Sequence, residues 1–219
     1  MKITHYYQKL SDPITRFGVW KGLALLLNNV VNRLIFVDCY HIILLKREEV
    51  KRPPIVDKKP LSFRFATEKD LRELQLQPVW DIDETKLRSF REGDYCLLNY
   101  VGTELAGYTW AHLQGRPLLI PGPRLKIPDS VIYNYAAFTL PKFRGRNHQA
   151  LRHYELLNQP QWKDKIGLLG YVRYTNWSSV RGQKKSGYQS IGRMWMIGTR
   201  RKFIVLFSKS LKKLGIARA

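Results

Sequence analysis

The chain has 219 residues, with 38 Lys and Arg against 17 Asp and Glu, so its formal net charge is +21. A hydrophobic fraction of 44% and an aromatic fraction of 12% exclude a disordered polyelectrolyte, because such sequences lack the apolar side chains that a core needs. Only two cysteines are present, and no Cys/His cluster has zinc-ligand spacing, which excludes a disulfide-stapled fold and a zinc module.

The positive charge is concentrated in the last third of the chain. Residues 141–219 carry eighteen basic side chains against two acidic ones, a net charge of +16, whereas residues 61–140 are nearly neutral. A positive surface of this size attracts polyanions. The sequence therefore predicts a nucleic acid, an anionic membrane or a phosphorylated cofactor as a partner, and composition alone leaves all three open.

The first predicted element is an amphipathic helix over residues 14–36, with apolar residues at helical spacing and polar residues on another side. Such a helix either docks on its own domain, which is the favoured interpretation, or lies on an anionic membrane surface. No secretory signal or bilayer-spanning run is recognisable, so we expect a cytoplasmic protein, free or peripheral on the inner face of the membrane. The apolar positions are Phe17, Trp20, Leu23, Ala24, Leu27, Val30, Val31 and Leu34.

A short strand and a connector follow. Asp38–Leu45 is rich in aromatic and β-branched residues, which predicts a strand, and the charged, proline-bearing stretch Lys46–Pro60 is typical of a linker. We therefore predict three regions: an N-terminal appendage (1–60), a main domain (61–208) and a basic C-terminal tail (209–219).

The main domain has the predicted order β-α-α-β-β-β-α-β-α-β-β, which indicates an α/β mixed sheet with helices on both faces. The proline-interrupted stretch Leu118–Lys126 is predicted to be a loop. The predicted strands are Leu61–Ala66, Tyr95–Val101, Glu104–Leu113, Ser130–Leu140, Leu168–Tyr174, Ile191–Gly198 and Lys202–Ser208, and the helices begin near Thr67, Asp83, Gln149 and Ser178.

The most specific local feature is the basic turn between the strand Ser130–Leu140 and the helix Gln149–Asn158. Backbone N–H groups at a helix N-terminus are unpaired and carry the positive end of the helix dipole. A preceding turn with Gly145 and two arginines, Arg144 and Arg146, is therefore suited to bind a pyrophosphate group. The alternative is an ordinary strand-to-helix turn with solvated arginines.

This turn resembles the GCN5-related N-acyltransferase (GNAT) superfamily, whose pattern Arg/Gln-x-x-Gly-x-Gly/Ala lies between the fourth strand and the third helix. The sequence here is Arg144-Gly145-Arg146-Asn147-His148-Gln149, in which Asn147 and Gln149 replace the two later small residues. Asn adopts positive φ more readily than most residues, so Asn147 is expected to preserve the turn.

A second stretch, Val172–Tyr188, resembles the strand, Asn, short helix and Gly-aromatic pair that follow in the same superfamily. Asn176, Ser179, Gly187 and Tyr188 occupy the corresponding places. In many members a Tyr four residues before that Gly serves as general acid. Gln183 stands at this place, and it cannot donate a proton as Tyr can.

The resemblance covers about residues 61–208 and implies a GNAT-like acyltransferase fold and an acyl-CoA-dependent N-acyltransferase without a metal. The implied reaction transfers an acyl group, most simply acetyl from acetyl-CoA, to an amine by direct attack. The first sixty residues are similar to acyltransferases associated with envelope or exopolysaccharide genes, so the acceptor is expected to be a small molecule or such a precursor. The alternative is a non-catalytic module of the same fold that binds nucleic acid or an anionic membrane. The implied cofactor-binding residues are Phe138, Thr139, Leu140, Arg144, Gly145, Arg146, Asn147, His148, Gln149, Asn176 and Ser179.

Three side chains are candidates for proton transfer. Direct aminolysis needs a neutral amine, and the central strand carries no carboxylate that could generate it. His112, at the end of a strand, is a candidate base or a structural histidine. Tyr135 and Tyr188 are candidate proton donors or packing residues. Catalysis can also rest on positioning and on a carbonyl polarised by the backbone.

Overall fold

The computed structural model describes residues 36–113, 118–119, 124–198 and 203–218, together with Val19, Trp20, Leu23, Ala24 and Leu27. These five residues are helical, and the four large apolar side chains among them are exposed, Trp20 by 85%. The favoured interpretation, a helix docked on its own domain, does not hold for these side chains, and the rest of the predicted helix lies outside the described residues. No helix within the described ranges has the length and apolar character needed to cross a bilayer.

Eight strands form one mixed sheet in the order β10-β9-β1-β8-β7-β4-β3-β2. All neighbouring pairs are antiparallel except β7 and β8, which are parallel. A second, small sheet has the order β11-β6-β5. The strands are β1 (Phe36–Lys46), β2 (Leu61–Phe65), β3 (Tyr95–Val101), β4 (Glu104–His112), β5 (Leu118–Leu119), β6 (Arg124–Lys126), β7 (Val131–Thr139), β8 (Gly167–Arg173), β9 (Gln189–Gly198), β10 (Phe203–Phe207) and β11 (Ala217–Arg218).

Within the described residues from Phe36 onwards, five α-helices accompany the strands, and their order confirms the predicted α/β mixed sheet. The helices are α1 (Glu68–Gln75), α2 (Glu84–Arg91), α3 (His148–Leu157), α4 (Trp177–Lys185) and α5 (Lys209–Lys213).

Two predicted irregular regions are structured. The stretch Leu118–Lys126, predicted to be a loop, contains β5 and β6, which pair with each other. The predicted basic tail contains α5 and β11, with Leu211 and Ile216 buried and Ala217 paired with Lys126. Because β6 also pairs with β11, main-chain pairing joins these two segments to each other although they are distant in the sequence.

The strand predicted as part of the appendage is instead central to the large sheet. β1 lies between β8 and β9 and pairs with both along its length. Its alternating residues enter two different hydrophobic clusters: Tyr40, Ile42 and Leu44 pack with α5, and Ile43 and Leu45 pack with α3. A boundary at residue 60 therefore does not separate this strand from the domain. The near-continuous apolar run is typical of a strand that is buried on both faces.

Arg47 fastens the end of β1 to the loop that follows α3. Its guanidinium donates to the main-chain oxygens of Leu157, Trp162 (2.6 Å) and Lys165 (2.8 Å), and its own N–H donates to the Ile166 oxygen (2.8 Å). The Leu157 oxygen belongs to the last turn of α3, where carbonyls have no partner within the helix. Arg47, at the charged start of the predicted linker, therefore holds the end of β1 against the end of α3 and the loop that follows it.

Leu45→Ala tests the central position of β1. Leu45 is 1% exposed, and truncating a buried leucine leaves a cavity, so we expect the free energy of unfolding to fall by about 2–5 kcal/mol. Leu206→Ala is the matched control, because Leu206 on the edge strand β10 is 48% exposed. Denaturant unfolding measures both variants. Equal losses of stability would contradict the placement of β1 inside the sheet.

Candidate active site

The large sheet opens between its two parallel strands. β7 and β8 pair only from Val131 to Tyr133, although β7 continues to Thr139 and β8 to Arg173. In these two fully described strands, no pairing joins the segments beyond Tyr133 and Leu169. The two strands therefore diverge and leave main-chain groups along the opening.

A β-bulge shapes the β7 side of this opening. Trp110 pairs with Tyr135 and Tyr108 with Phe138, so Ala136 and Ala137 both lie opposite a single residue of β4. Ala136 has φ 45°, and both alanines are exposed. Positive φ is unfavourable for a residue with a Cβ and is typical of bulges and functional sites.

Two of the main-chain groups at Phe138–Leu140, which the resemblance implies for contact with the cofactor, have partners within the fold, and the predicted contact stays a prediction. The Leu140 N–H donates to the Ala106 oxygen (2.9 Å), and the Thr139 oxygen accepts from Arg144 Nε (3.1 Å). These two groups at Phe138–Leu140 are occupied within the fold. The bulge at Ala136 and Ala137 is the exposed part of the strand, and a bulge has no reliable signature in a single sequence.

The turn between β7 and α3 has the left-handed backbone positions that the sequence predicts. Gly145 has φ 79°, and a Cβ placed there would meet no heavy atom within 4 Å. Asn147 has φ 64°, which confirms that it takes the left-handed position. Its side chain does not cap α3, whereas the side chains of Thr67, Asp83 and Asn176 cap α1, α2 and α4. The first amides of α3 therefore lie beside an open turn.

The side chains of the turn divide into an outer and an inner set. Arg144 and Arg146 are exposed, and Gln149 is half-buried. His148 is buried, with Nε2 3.0 Å from Asp57 Oδ2, and its ring meets that of Phe143 edge-on. The side chain of His148 points into the interior, and its predicted contact with the cofactor stays a prediction.

A buried polar network lies beneath the turn, and sequence reasoning missed it. Arg152 of α3 is fully buried; Nη1 donates to Asn99 Oδ1 (2.5 Å) and Nη2 to Thr139 Oγ1 (2.7 Å). The Asn99 amide nitrogen lies 3.2 Å from His148 Nδ1. A Cβ on Gly107 would come within 2.7 Å of the guanidinium, so this glycine makes room for it. Burial lowers the pKa of Arg152 to about 9, which still leaves it protonated at neutral pH.

On the α4 side of the opening, Asn176 acts as a helix cap. Its Oδ1 accepts from the Ser179 N–H (3.2 Å) and from Ser178 Oγ (3.0 Å). Asn176 is exposed and Ser179 half-buried. Their predicted contact with the cofactor stays a prediction, and it rests on the amide nitrogen of Asn176, because the oxygen holds the helix.

Two of the three catalytic candidates meet through a carboxylate that sequence reasoning missed. Tyr135 Oη donates to Asp94 Oδ2 (2.5 Å), and His112 Nδ1 lies 2.6 Å from Asp94 Oδ1. A carboxylate oxygen only accepts, so His112 Nδ1 carries a proton. Burial, reinforced by Asp94, raises the pKa of Tyr135 far above its usual value. The only sequence signal for Asp94 is its place directly before β3.

A row of tyrosines continues from this trio across β7, β8 and β1. Tyr135 stacks on Tyr133 (5.3 Å, 6°), Tyr133 stacks on Tyr171 (6.0 Å, 8°), and Tyr171 meets Tyr40 edge-on (5.6 Å). Tyr135 and Tyr171 are half-buried, so the row borders the opening on the face that carries the trio.

Tyr188, the third catalytic candidate, lies elsewhere. It is buried in the cluster that packs against α3, and its ring meets His153 edge-on at 5.3 Å. The structure does not bring it to Tyr135 or His112, so its side chain is a core residue. Among the described residues, no group of three or more His, Cys, Asp or Glu side chains could hold a metal ion.

Solved structures with the same architecture place this geometry in a known fold. A GCN5-related N-acetyltransferase from Kribbella flavida superposes with a TM-score of 0.51 at 13% identity, over 81% of this chain and 63% of that chain. The chain has the GNAT fold. A tandem GNAT protein from the clavulanic acid biosynthesis pathway matches with a TM-score of 0.50 at 12% identity, over 78% of this chain and 54% of that one.

A protein from Drosophila also matches this GNAT fold, with a TM-score of 0.50 at 17% identity, over 85% of this chain. The chain spans 59% of the length of the Drosophila protein. Neither a protein-family model nor a curated protein matches the sequence. The similarity to these solved structures is therefore one of fold. It supports the resemblance to the GNAT superfamily that the sequence of the turn indicates.

Replacing both exposed arginines of the turn tests its role as an anion site. Arg144→Ala combined with Arg146→Ala should weaken CoA binding by about 1–3 kcal/mol in total, the range for hydrogen bonds to charged groups. CoA and dephospho-CoA should lose affinity equally if the arginines serve the pyrophosphate. Calorimetric titration measures this, with the exposed pair Lys69→Ala and Arg88→Ala as control. Unchanged affinity in the turn variant would refute the assignment.

Proposed function

We propose that the protein is an acyl-CoA-dependent N-acyltransferase, with acetyl-CoA as the simplest donor. The proposed acceptor is an amine of a small molecule or of an envelope or exopolysaccharide precursor. One observation carries the proposal: β7, which borders the opening, continues through the turn at Gly145 into the start of α3, which has no side-chain cap. This arrangement places the main-chain groups along the opening next to a turn that is suited to bind an anion.

The residues present fit an acyl-CoA. The amides at the start of α3 and the side chains of Arg144 and Arg146 would hold the pyrophosphate. The main chain at Ala136 and Ala137 would pair with the pantetheine arm and polarise the acyl carbonyl. When bound, the donor supplies an acyl group activated as a thioester.

The trio of Tyr135, Asp94 and His112 provides the proton chemistry that an amine acceptor needs. An ammonium group must lose a proton before it can attack. The Tyr135 oxygen can accept that proton while its own proton passes to Asp94 Oδ2, 2.5 Å away. The His112 Nδ1–H group stabilises the Asp94 carboxylate from the other side. Because the raised pKa keeps Tyr135 protonated at neutral pH, its hydroxyl can relay a proton without existing as a phenolate.

Two measurements test this function: the activity of the wild-type protein and the effect of a substitution at Tyr135. Wild-type protein should release free thiol from acetyl-CoA, or from a longer acyl-CoA, with at least one member of an amine panel. Tyr135→Phe keeps the ring but removes the relay oxygen, so kcat should fall about 10²-fold or more, the scale of general acid–base catalysis. CoA affinity should not change.

Tyr108→Phe is the matched control for this test, because Tyr108 lies on the neighbouring strand β4 and its hydroxyl donates to the main-chain oxygen of Trp80 (2.8 Å), outside the trio. Its kcat should stay near that of the wild type. Equal rates for both variants would remove Tyr135 from the mechanism. If the folded wild-type protein bound no CoA up to millimolar concentration, the enzyme proposal would be wrong.

Peripheral attachment to an anionic membrane is a second proposal, favoured by the exposed helical residues Val19, Trp20, Leu23 and Leu27. At about 100° per residue these side chains lie within an arc of about 100°, as in interfacial helices. Residues 13–37 contain three basic and no acidic side chains. Wild-type protein should sediment with anionic but not with zwitterionic vesicles, and Leu23→Glu with Leu27→Glu should abolish this. The control is Leu76→Glu, at an exposed leucine of the Thr67-capped helix region. Wild-type protein that stays in the supernatant has no membrane role.

A further inference from the structure

The connector between β1 and β2 runs beside α3 and reaches the basic turn. Near the far end of the helix, the Arg52 guanidinium lies over the Tyr154 ring (5.9 Å). At the helix start, the Pro54 oxygen accepts from Asn147 Nδ2 (3.0 Å). Three residues further on, Asp57 reaches the turn itself. A segment outside the part of the chain that resembles the GNAT superfamily thus contributes to the proposed pyrophosphate site.

Asp57 brings a negative charge to this site. Its side chain is only 2% exposed, although the neighbouring connector residues are exposed. Oδ1 accepts from Arg146 Nη1 (2.9 Å), and Oδ2 lies 3.0 Å from His148 Nε2. A buried carboxylate is costly unless it is paired, so Asp57 holds the Arg146 guanidinium in place.

The hydrogen-bond network leaves Arg146 as the only cation of this group. Asn99 Oδ1 accepts from Arg152, so the Asn99 amide nitrogen faces His148 Nδ1, which must accept. His148 Nε2 then carries the proton, 3.0 Å from Asp57 Oδ2. Burial lowers the pKa of His148, so the imidazole is neutral at neutral pH and Asp57 is balanced by one guanidinium.

We infer that Asp57 is an internal counter-anion of the pyrophosphate turn, which occupies Arg146 and weakens the binding of CoA. The inference rests on the proposed function. A bound pyrophosphate and Asp57 compete for the same guanidinium, and the two negative charges repel each other. The backbone amides of α3 remain open, because Asp57 does not cap the helix. Binding of the anion therefore displaces the connector from Arg146.

Asp57→Asn tests the sign of this effect. The variant removes the charge but keeps the shape, so Arg146 becomes free and CoA should bind about 2- to 5-fold more tightly, as expected for a partly exposed charge pair. Dephospho-CoA should gain equally. In Arg146→Ala the same substitution should produce a smaller gain, because the contested guanidinium is gone and only the repulsion between Asp57 and the pyrophosphate is relieved. Calorimetric titration at fixed salt measures all four proteins.

Glu155→Gln is the matched control. Glu155 Oε1 lies 3.6 Å from Arg52 Nη2, so this variant removes a carboxylate at the other end of the connector. Its CoA affinity should equal that of the wild type. If Asp57→Asn binds CoA no better than the wild type while its unfolding midpoint is unchanged, the inference is wrong and Asp57 only positions the turn. If the wild-type protein binds no CoA, it is the proposed function that is wrong, and this outcome is distinguishable from the failure of the inference.

Limited proteolysis of the wild type gives a second readout that needs no variant. Trypsin can cleave after the exposed Lys58, next to Asp57, whereas Pro60 protects the bond after Lys59. If pyrophosphate displaces Asp57, saturating CoA should speed cleavage after Lys58. Cleavage that is slower or unchanged with CoA would overturn the inference.

Discussion

The separation of β7 from β8 is the constraint on which the rest of the proposed site depends. Parallel pairing ends after Tyr133, and the bulge at Ala136 and Ala137 turns the following backbone towards the opening. Unpaired main-chain groups inside a sheet are costly unless solvent or a ligand satisfies them. The opening thus presents main-chain groups that the sheet itself does not pair. The amide-containing arm of an acyl donor can form hydrogen bonds with these groups.

The network around Arg152 explains how such an opening coexists with a stable start of α3. A fully buried arginine is costly unless its donors are satisfied, and Asn99 and Thr139 provide two acceptors on β3 and β7. These bonds tie the helix to the strand on the other side of the turn. Because the interior holds the turn, its outer amides and the exposed Arg144 guanidinium, of which only Nε bonds to the Thr139 oxygen, remain available for binding.

The segment before residue 61 joins the architecture to the proposed chemistry. β1 fills the sheet between β8 and β9, and Arg47 fixes its end to the loop after α3. From this joint the connector reaches the turn, where Asp57 meets Arg146. This segment therefore contributes the core residues of β1, the bonds of Arg47 and the negative charge of Asp57. A change in the connector acts on the turn directly.

The sequence by itself determined the order of the elements that build the large sheet from Leu61 onwards and the left-handed turn at Asn147, but not the small sheet or the helix α5. These depend on local periodicity and on the φ that each residue type tolerates, both of which are readable along the chain. The tertiary structure alone decided the position of β1 and the pairing of Asp94 with His112 and Tyr135. It also decided that His148 points inwards and that Tyr188 belongs to the core. Each of these depends on which strand becomes a neighbour, and contacts such as that between Arg146 and Asp57, 89 residues apart, have no local pattern.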